Sequence, residues 1–437
     1  MRKNLLIIGG LMFLGISSVK AAESNVMLSE QMFTLNNLWI LIATVLVFIM
    51  HLGFATLEAG LTRAKNCVNI LFKNVMTVAI GLLTFALVGF NIMYPGNEWT
   101  IVKWFGFAGF GLNCPEGAAG LINYNGGNYS YYADFIFQGM FAATAATIIS
   151  GAVAERMKLT SYLIFCTLFV GIVYPIVGSW GWGGGWLSDL GFKDFAGSAF
   201  VHSVGGWGAL AGVMLLGPRS GKYVLNQSKA IMGHNMPLAA IGVFMLWMGW
   251  FGFNGGSVFS ADPEALSLVF VTTTMSAVAG IATANITSWI ISKKPDLSMV
   301  LNGCLAGLVG ITACADAVTV NESLIIGAVS GVIVVLAVLG FDKVRLDDPV
   351  GALSVHLVCG TWSVLATGIF CEGISFATQL IGVVVIGIVS FASAYAIFGV
   401  LKVTLGIRVH KEEELRGLDI GEHGLESYSG FQIFDCQ

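Results

Sequence analysis

Charge is what this 437-residue sequence has least of: 21 lysines and arginines with 25 aspartates and glutamates make only 11% of it, against roughly a quarter in an ordinary soluble domain. With 56% hydrophobic residues, the charges left over cannot cover a water-soluble surface, so the chain reads as a polytopic membrane protein. A net charge of −4 offers no basic surface for nucleic acid, and the apolar content excludes disorder. The eight cysteines contain no C-x-x-C pair, hence neither a zinc site nor a disulfide framework; they read as small buried side chains. One pairing stays open, Cys114 with Cys371, because both fall in segments expected outside. The Walker pattern is missing too, Gly221-Lys222 being followed by Tyr223, and there is no G-x-S-x-G. Pumps and hydrolases lose their usual signatures with them, and the chain is not read as an enzyme.

Glycine, by contrast, is abundant at 56 residues. The pairs Gly208/Gly212, Gly303/Gly307 and Gly327/Gly331 stand at the small-xxx-small spacing that lets helices approach closely in a membrane. Residues 1–22 carry Arg2 and Lys3, an apolar run from Leu5 to Ile16 and a small-residue exit at Ala21. Twelve apolar residues are too few to span, so this is read as a secretory signal peptide cleaved near Ala21 or Ala22. Eleven apolar segments come after it, at 36–61, 68–93, 130–154, 159–181, 195–217, 230–254, 264–291, 298–314, 322–341, 351–371 and 376–401. With the mature amino terminus outside, sixteen cations fall on inner segments, only Lys103 and Lys193 fall outside, and Arg2, Lys3 and Lys20 belong to the leader. That bias favours eleven spans with the carboxyl terminus in the cytoplasm. The soluble pieces are an outer loop, 94–129, and a charged tail, 402–437.

The chain matches itself once. Asp194, Gly197, Val201, His202, Val204 and Gly206 recur at identical spacing as Asp348, Gly351, Val355, His356, Val358 and Gly360, both reading D-x2-G-x3-V-H-x-V-x-G. The motifs open the fifth and tenth segments, each the last of a five-helix block. Five being odd, the second block enters from the opposite side, so the halves are inverted repeats with a substrate path where they meet. The eleventh helix packs around the outside.

His202 and His356 are placed at mid-span, where ionisable residues are expensive and face an internal path. The inversion sets them face to face, sharing one ring proton and lining a pore or relaying a proton. A metal needs three or four ligands, and Cys359 alone does not complete a set. Asp194 is expected to accept from the N–H groups of Ala196, Gly197 or Ser198 as a helix cap, and its buried charge would favour a monovalent cation at the pore mouth. Phe137 and Phe141 in FQGMFA, Trp182 in SWGWGGGW, and Trp250, Phe253 and Ser257 in GWFGFNGGS cluster at outer helix ends. Convergent rings there can hold a cation by about 2 kcal/mol when it is desolvated, with Ser257 as an acceptor.

These motifs, with D-D-P-x-G-x4-H and the tail LGIRVHKEEELRGLDIGEHGLESY, resemble the ammonium transporter family (Amt/Mep, related to the Rh proteins) over residues 34–430. The resemblance implies an all-α, eleven-helix membrane domain over 34–401, with helices 1–5 and 6–10 as inverted repeats and helix 11 peripheral. It further implies a homotrimer with one path per subunit in the plasma (inner) membrane, serving nitrogen uptake. Trp182, Phe141 and Ser257 look like the ammonium recruitment site, with Asp194 as the essential acid at the entrance. Phe141 and Phe253 look like the gate with Phe137 flanking it, and His202 and His356 like the twin-histidine pore pair. Methylammonium is the implied analogue, and no cofactor, metal or catalytic residue is called for. The tail is implied to be regulatory, contacting neighbouring subunits and a cytosolic P-II-type protein. Two departures stand out: Gly351 occupies a position where some bacterial members carry an acid, and the 94–129 loop is glycine-rich. A bare NH₄⁺ would lose many kcal/mol of hydration in a dry pore, so the expected mechanism recruits NH₄⁺, removes its proton and conducts NH₃. Two other readings are an ammonium sensor or transceptor, and an ion-coupled carrier of another small cation. The second expects broken helices and paired carboxylates at mid-span, neither of which the sequence displays.

Overall fold

The computed structural model describes residues 2–225 and 227–428, with side chains from residue 29 onward. The leader expected at 1–22 and Cys436 therefore fall outside the described side chains. Eleven apolar helices lie among the described residues: α1 (Ser29–Leu61), α2 (Ala64–Met93), α3 (Tyr131–Ala152), α4 (Leu159–Ser179), α5 (Ser198–Leu216), α6 (Met236–Gly256), α7 (Pro263–Ser292), α8 (Leu297–Ile311), α9 (Val320–Lys343), α10 (Leu353–Phe370) and α11 (Phe376–Thr404). All eleven expected segments are present. α8 is the short one: fifteen residues rise about 22 Å, less than a bilayer core. Its end turns through Thr312 and Ala313, whose carbonyls accept the N–H groups of Ala196 and Phe195 at 3.1 and 3.0 Å.

The helices start where side chains take up free N–H groups: Ser130 for α3, Asn235 for α6, Asp262 for α7, Asp296 for α8, Ser375 for α11, and a Thr319–Glu322 capping box for α9. α1 and α6, the first helices of the two repeats, lie backbone to backbone. A Cβ on Gly53 would stand 2.9 Å from the Gly242 carbonyl oxygen. α7, α8 and α9 meet through Gly303, Gly307, Gly327 and Gly331, as their spacing suggested. α11 lies against α4 and α5, with Phe398 stacked 3.8 Å from Phe165.

The loop 94–129 carries a small hairpin, Trp99–Ile101 with Phe105–Gly106, held by Trp104 stacking on Trp186 at 4.5 Å. Its face of the molecule is called here the loop face, and the opposite one the tail face. Cys114 and Cys371 are both free and pack into separate apolar clusters, Cys371 beside Cys314. The open pairing is thus not formed.

As far as residue 428, the charged tail packs onto the body of the protein. Arg408 donates to the carbonyls of Leu216 and Pro218, both at 2.7 Å, and pairs with Glu414 at 2.8 Å. Glu414 accepts the Ser220 N–H, Asp419 accepts the Asn69 N–H, and Glu422 accepts the Leu159 N–H. Within this chain the segment clasps the α1–α2, α3–α4 and α5–α6 connections. Beneath it lies a buried ionic knot. Arg219 holds Asp347 through both oxygens at 2.9 Å and Glu155 at 3.0 Å, and Arg63 takes Glu155 as well. Arg156 ties the same corner through the carbonyls of Ala152, Ala154, Gly217 and Asp347.

Candidate functional site

The acid, the glycines and the histidine of the repeated motif each have a structural reason. Asp194 stands before α5 with both oxygens filled: one accepts the N–H of Gly197 (3.2 Å) and Ser198 (2.8 Å), the other those of Ala199 (2.8 Å) and Phe200 (2.9 Å). Ala196, an expected donor, is engaged with Thr312 instead. Asp348 repeats the arrangement, accepting from Gly351 at 3.1 Å and Leu353 at 2.7 Å. Folding the chain back onto its own carboxylate forces the third residue after each Asp into left-handed backbone, with φ +104° at Gly197 and +82° at Gly351. Only glycine adopts that conformation without strain. Gly351 is therefore a backbone requirement.

Each glycine leads into a π-helical turn, Ser198–Ser203 in the first repeat and Leu353–Val358 in the second. Val201 and His202 both donate to the Gly197 carbonyl, at 2.9 and 3.0 Å. Such wide turns redirect side chains and recur at functional sites. They carry His202 and His356, whose Nδ1 atoms lie 3.2 Å apart with ring centroids at 5.2 Å. One nitrogen of that pair donates and the other accepts. The mid-helix placement suggested by the sequence is corrected here. Each histidine lies about 4–6 Å from the start of its helix, and because α5 and α10 enter from opposite faces and their rings meet, both helices begin deep in the protein. The last motif residue permits this approach: a Cβ on Gly206 would come 2.6 Å from Leu357 Cα, and one on Gly360 would come 2.8 Å from the Ser198 carbonyl oxygen.

Toward the loop face the aromatic residues build upward from the histidines. His202 is flanked by Trp250 (5.1 Å, 18°) and Phe253 (5.2 Å, 26°). Phe253 stacks on Phe141 at 4.1 Å and 22°, closing the way above the pair. Phe137 meets Phe141 edge to face at 4.8 Å, and Trp182 does so at 6.1 Å. Above the stack lies a vestibule of about 140 Å³ lined by Phe141, Trp182, Ser257, Tyr129, Asp134 and Gln138, among others. The Ser257 hydroxyl donates to the Phe253 carbonyl at 2.8 Å, which leaves its lone pairs free to accept. The indole N–H of Trp182 donates to the main-chain carbonyl of Asp194 at 3.1 Å.

Trp182, Phe141, Phe253, Phe137, Ser257, His202 and His356 thus form one continuous column. Asp194 does not line the vestibule; it caps the histidine-bearing turn and anchors Trp182. The sequence reading missed Asp134, whose carboxylate accepts the Tyr124 hydroxyl at 2.8 Å, and Gln138, whose side-chain oxygen has no partner among the described residues. It also missed Phe259, which stacks on Tyr129 with φ +54°. The glycine-rich loop is more than surface, because Asn125 and Tyr129 supply part of the vestibule wall. Below His356, Phe54 at 6.0 Å leads to a smaller cavity toward the tail face.

Comparison with known proteins agrees with this architecture. A statistical model of the Ammonium Transporter Family matches residues 38–428. The ammonium transporter Amt2 of Archaeoglobus fulgidus is 42% identical over 428 residues, covering 90% of this chain and 88% of its own. The solved structure of a sensor Amt protein superposes with a TM-score of 0.83 at 36% identity, covering 90% of this chain and 99% of that one. Candida albicans Mep2 gives 0.80 at 28% identity, with 94% and 96% covered. The chain is a multi-pass membrane protein that belongs to the ammonium transporter family, and hence a transporter rather than an enzyme.

Proposed function

We propose that the protein recruits NH₄⁺ from outside at the aromatic vestibule, strips its proton at the Phe141–Phe253 stack and passes NH₃ along His202 and His356 into the cytoplasm. The observation that carries this reading is the column itself, a closed aromatic stack directly above two histidines 3.2 Å apart. A cation has ring faces and acceptors above the stack. Below it, among the described residues, no carboxylate borders the path until the cavity beyond His356. A full charge would pay the desolvation cost of a buried ion there, while neutral ammonia can trade hydrogen bonds with the ring nitrogens. His202 Nε2 has no protein partner among the described residues and is available for that exchange. Potassium, which has no proton to give up, is refused by the same column.

The setting we infer is the plasma (inner) membrane, with the mature amino terminus outside after loss of a leader near residue 22, the tail inside, and three copies assembled side by side. The clasp of the tail on three connections supports reading it as a regulatory segment that reports the binding of a cytosolic P-II-type protein to the helices.

The test is solid-supported membrane electrophysiology on reconstituted protein after an ammonium jump, with potassium as control. Replacing His356 by Ala removes one ring-to-ring hydrogen bond and one relay site, worth about 1–1.5 kcal/mol. The ammonium response should fall about tenfold or lose its preference over potassium. Unchanged current and unchanged methylammonium uptake would overturn the role of the pair.

A further inference from the structure

The cavity below His356 has space of about 20 Å³, room for a single molecule the size of water or ammonia. Its walls are apolar apart from His356, Asn302, Thr147 and Glu58. Glu58, on α1, is 1% exposed, and its two oxygens differ. One accepts from the Asn74 amide and the Ser150 hydroxyl, both at 3.1 Å. The other has no partner among the described residues. A buried carboxyl oxygen left unmet costs free energy, and two conditions relieve it: the oxygen carries a proton, or a small molecule in the cavity donates to it.

We propose that Glu58 is the proton donor at the exit of the path, returning to ammonia on the tail side the charge it gave up at the loop side. Ammonia passing His356 enters a space whose one carboxyl group lies against it. The nitrogen lone pair takes the carboxyl proton, so an N–H bond forms as the O–H bond breaks. Carboxylate and ammonium are left as neighbours, and the carboxylate regains a proton from water on the tail side once ammonium leaves. The only other reactant is tail-side water, which supplies the proton that restores the carboxyl.

The surroundings suit both charge states. Lys73 of α2 supplies the opposing charge, with its ammonium donating to the Ser150 carbonyl at 3.1 Å and standing 5.2 Å from the centre of the Tyr162 ring. From the other elements around Glu58 come Tyr162 of α4 and His356 of α10. Arg156 and Glu155 act through Lys73. A Cβ on Gly151 would come 2.7 Å from Val350 Cγ2 and 3.4 Å from the Glu58 carboxyl carbon, so the glycine leaves room for both beside the cavity.

This inference rests on the transport reading, and the experiment separates the two. Ammonium jumps are applied to reconstituted wild type, Glu58→Gln and Glu58→Asp over a range of tail-side pH. Glu58→Gln keeps the size and can keep the Asn74 and Ser150 contacts, but it cannot donate an acid proton. It should lower the response about tenfold or more, leave the half-saturating ammonium concentration unchanged and flatten the dependence on tail-side pH. Glu58→Asp should restore part of the rate and a pH dependence. A wild-type rate and pH profile in Glu58→Gln would overturn the exit role alone, as would equal losses in both variants with the pH profile preserved. No ammonium response from the wild type would overturn the transport reading and this inference with it. If Glu58→Gln fails to fold, as judged by its melting curve, Glu58→Asp decides: an unshifted pH profile there overturns the role.

Discussion

Asp194→Asn is the perturbation that best separates capping from cation binding, because the change keeps the shape and removes only charge and one acceptor. In the native protein four main-chain N–H groups converge on the carboxylate, two on each oxygen. The amide can keep the Gly197 and Ser198 pair through its oxygen. Its NH₂ then faces the N–H groups of Ala199 and Phe200, donor against donor, in a site only 6% exposed. Two buried donors left unmet cost about 1–3 kcal/mol each, or about 2–6 kcal/mol in all. For a chain of this length a kcal/mol corresponds to about 1 °C in melting temperature, so the variant should melt about 2–6 °C lower in the same detergent. Because the disrupted N–H groups belong to the turn that carries His202, the ammonium response should fall with it, while the half-saturating concentration changes little: Trp182 remains bonded to the main-chain carbonyl of residue 194. Differential scanning fluorimetry and ammonium-jump currents on one preparation supply both numbers. A melting temperature within about 1 °C of wild type, together with a large rise in half-saturating ammonium, would refute this reasoning and make Asp194 a direct ligand of the cation.

Two further predictions concern the tail face. Burial alone would raise the Glu155 carboxyl, but Arg219 and Arg63 outweigh it and hold it at about 2, and Asp347 is likewise held at about 2 by Arg219 against its burial. Both folded values lie below the unfolded ones of 4.5 and 3.8, so their stabilisation is complete above about pH 5 and is lost as pH falls toward 2. For Glu155 that is about 3 kcal/mol, and the two contributions overlap because they share Arg219. Melting temperature should stay level from neutral pH down to about 5 and fall below it, and a level curve to about pH 3 would contradict the assignment. Gly351→Ala places a side chain on left-handed backbone, costing about 1–2 kcal/mol, and puts its Cβ 2.9 Å from the Asn302 amide. A melting temperature lower by about 1–2 °C should accompany reduced methylammonium uptake, since Asn302 is displaced into a cavity with room for one small molecule.

How much of this was legible in the sequence depended on the kind of signal. The eleven spans were, because each is an apolar run bounded by polar turns and its cations favour one face. The histidine pair was, because an inverted repeat places equivalent residues across a two-fold axis. The depth of the pair was not: Asp194 and Asp348 cap their helices through a left-handed glycine and a π-turn after it, and hydropathy cannot distinguish a helix that starts at the surface from one that starts inside. Asp134, Glu58 and Lys73 were visible as ionisable residues within apolar runs, a costly placement that itself marks function. They were passed over because none of the three belongs to the repeat. The vestibule wall from residues 125 and 129 was beyond reach, since a loop with no periodicity gives no sign of where it folds back.

The two copies of the motif end in different surroundings. Both copies supply the same parts, a carboxylate cap, a glycine, a histidine and a closing glycine, and a strictly symmetric pair would give the two histidines the same neighbours. The neighbours break that symmetry. His202 sits among Trp250 and Phe253 beneath a closed stack, with rings rather than a carboxylate against it. His356 borders Phe54 and, across a space for one small molecule, Glu58. On the proposed mechanism ammonia passes the first histidine as the neutral species and meets an acid beyond the second. The low charge of the sequence is therefore not spread evenly along the column: acids stand at its two ends, Asp134 in the vestibule and Glu58 in the cavity with His356, and the stretch between them is left to aromatic rings and two imidazoles.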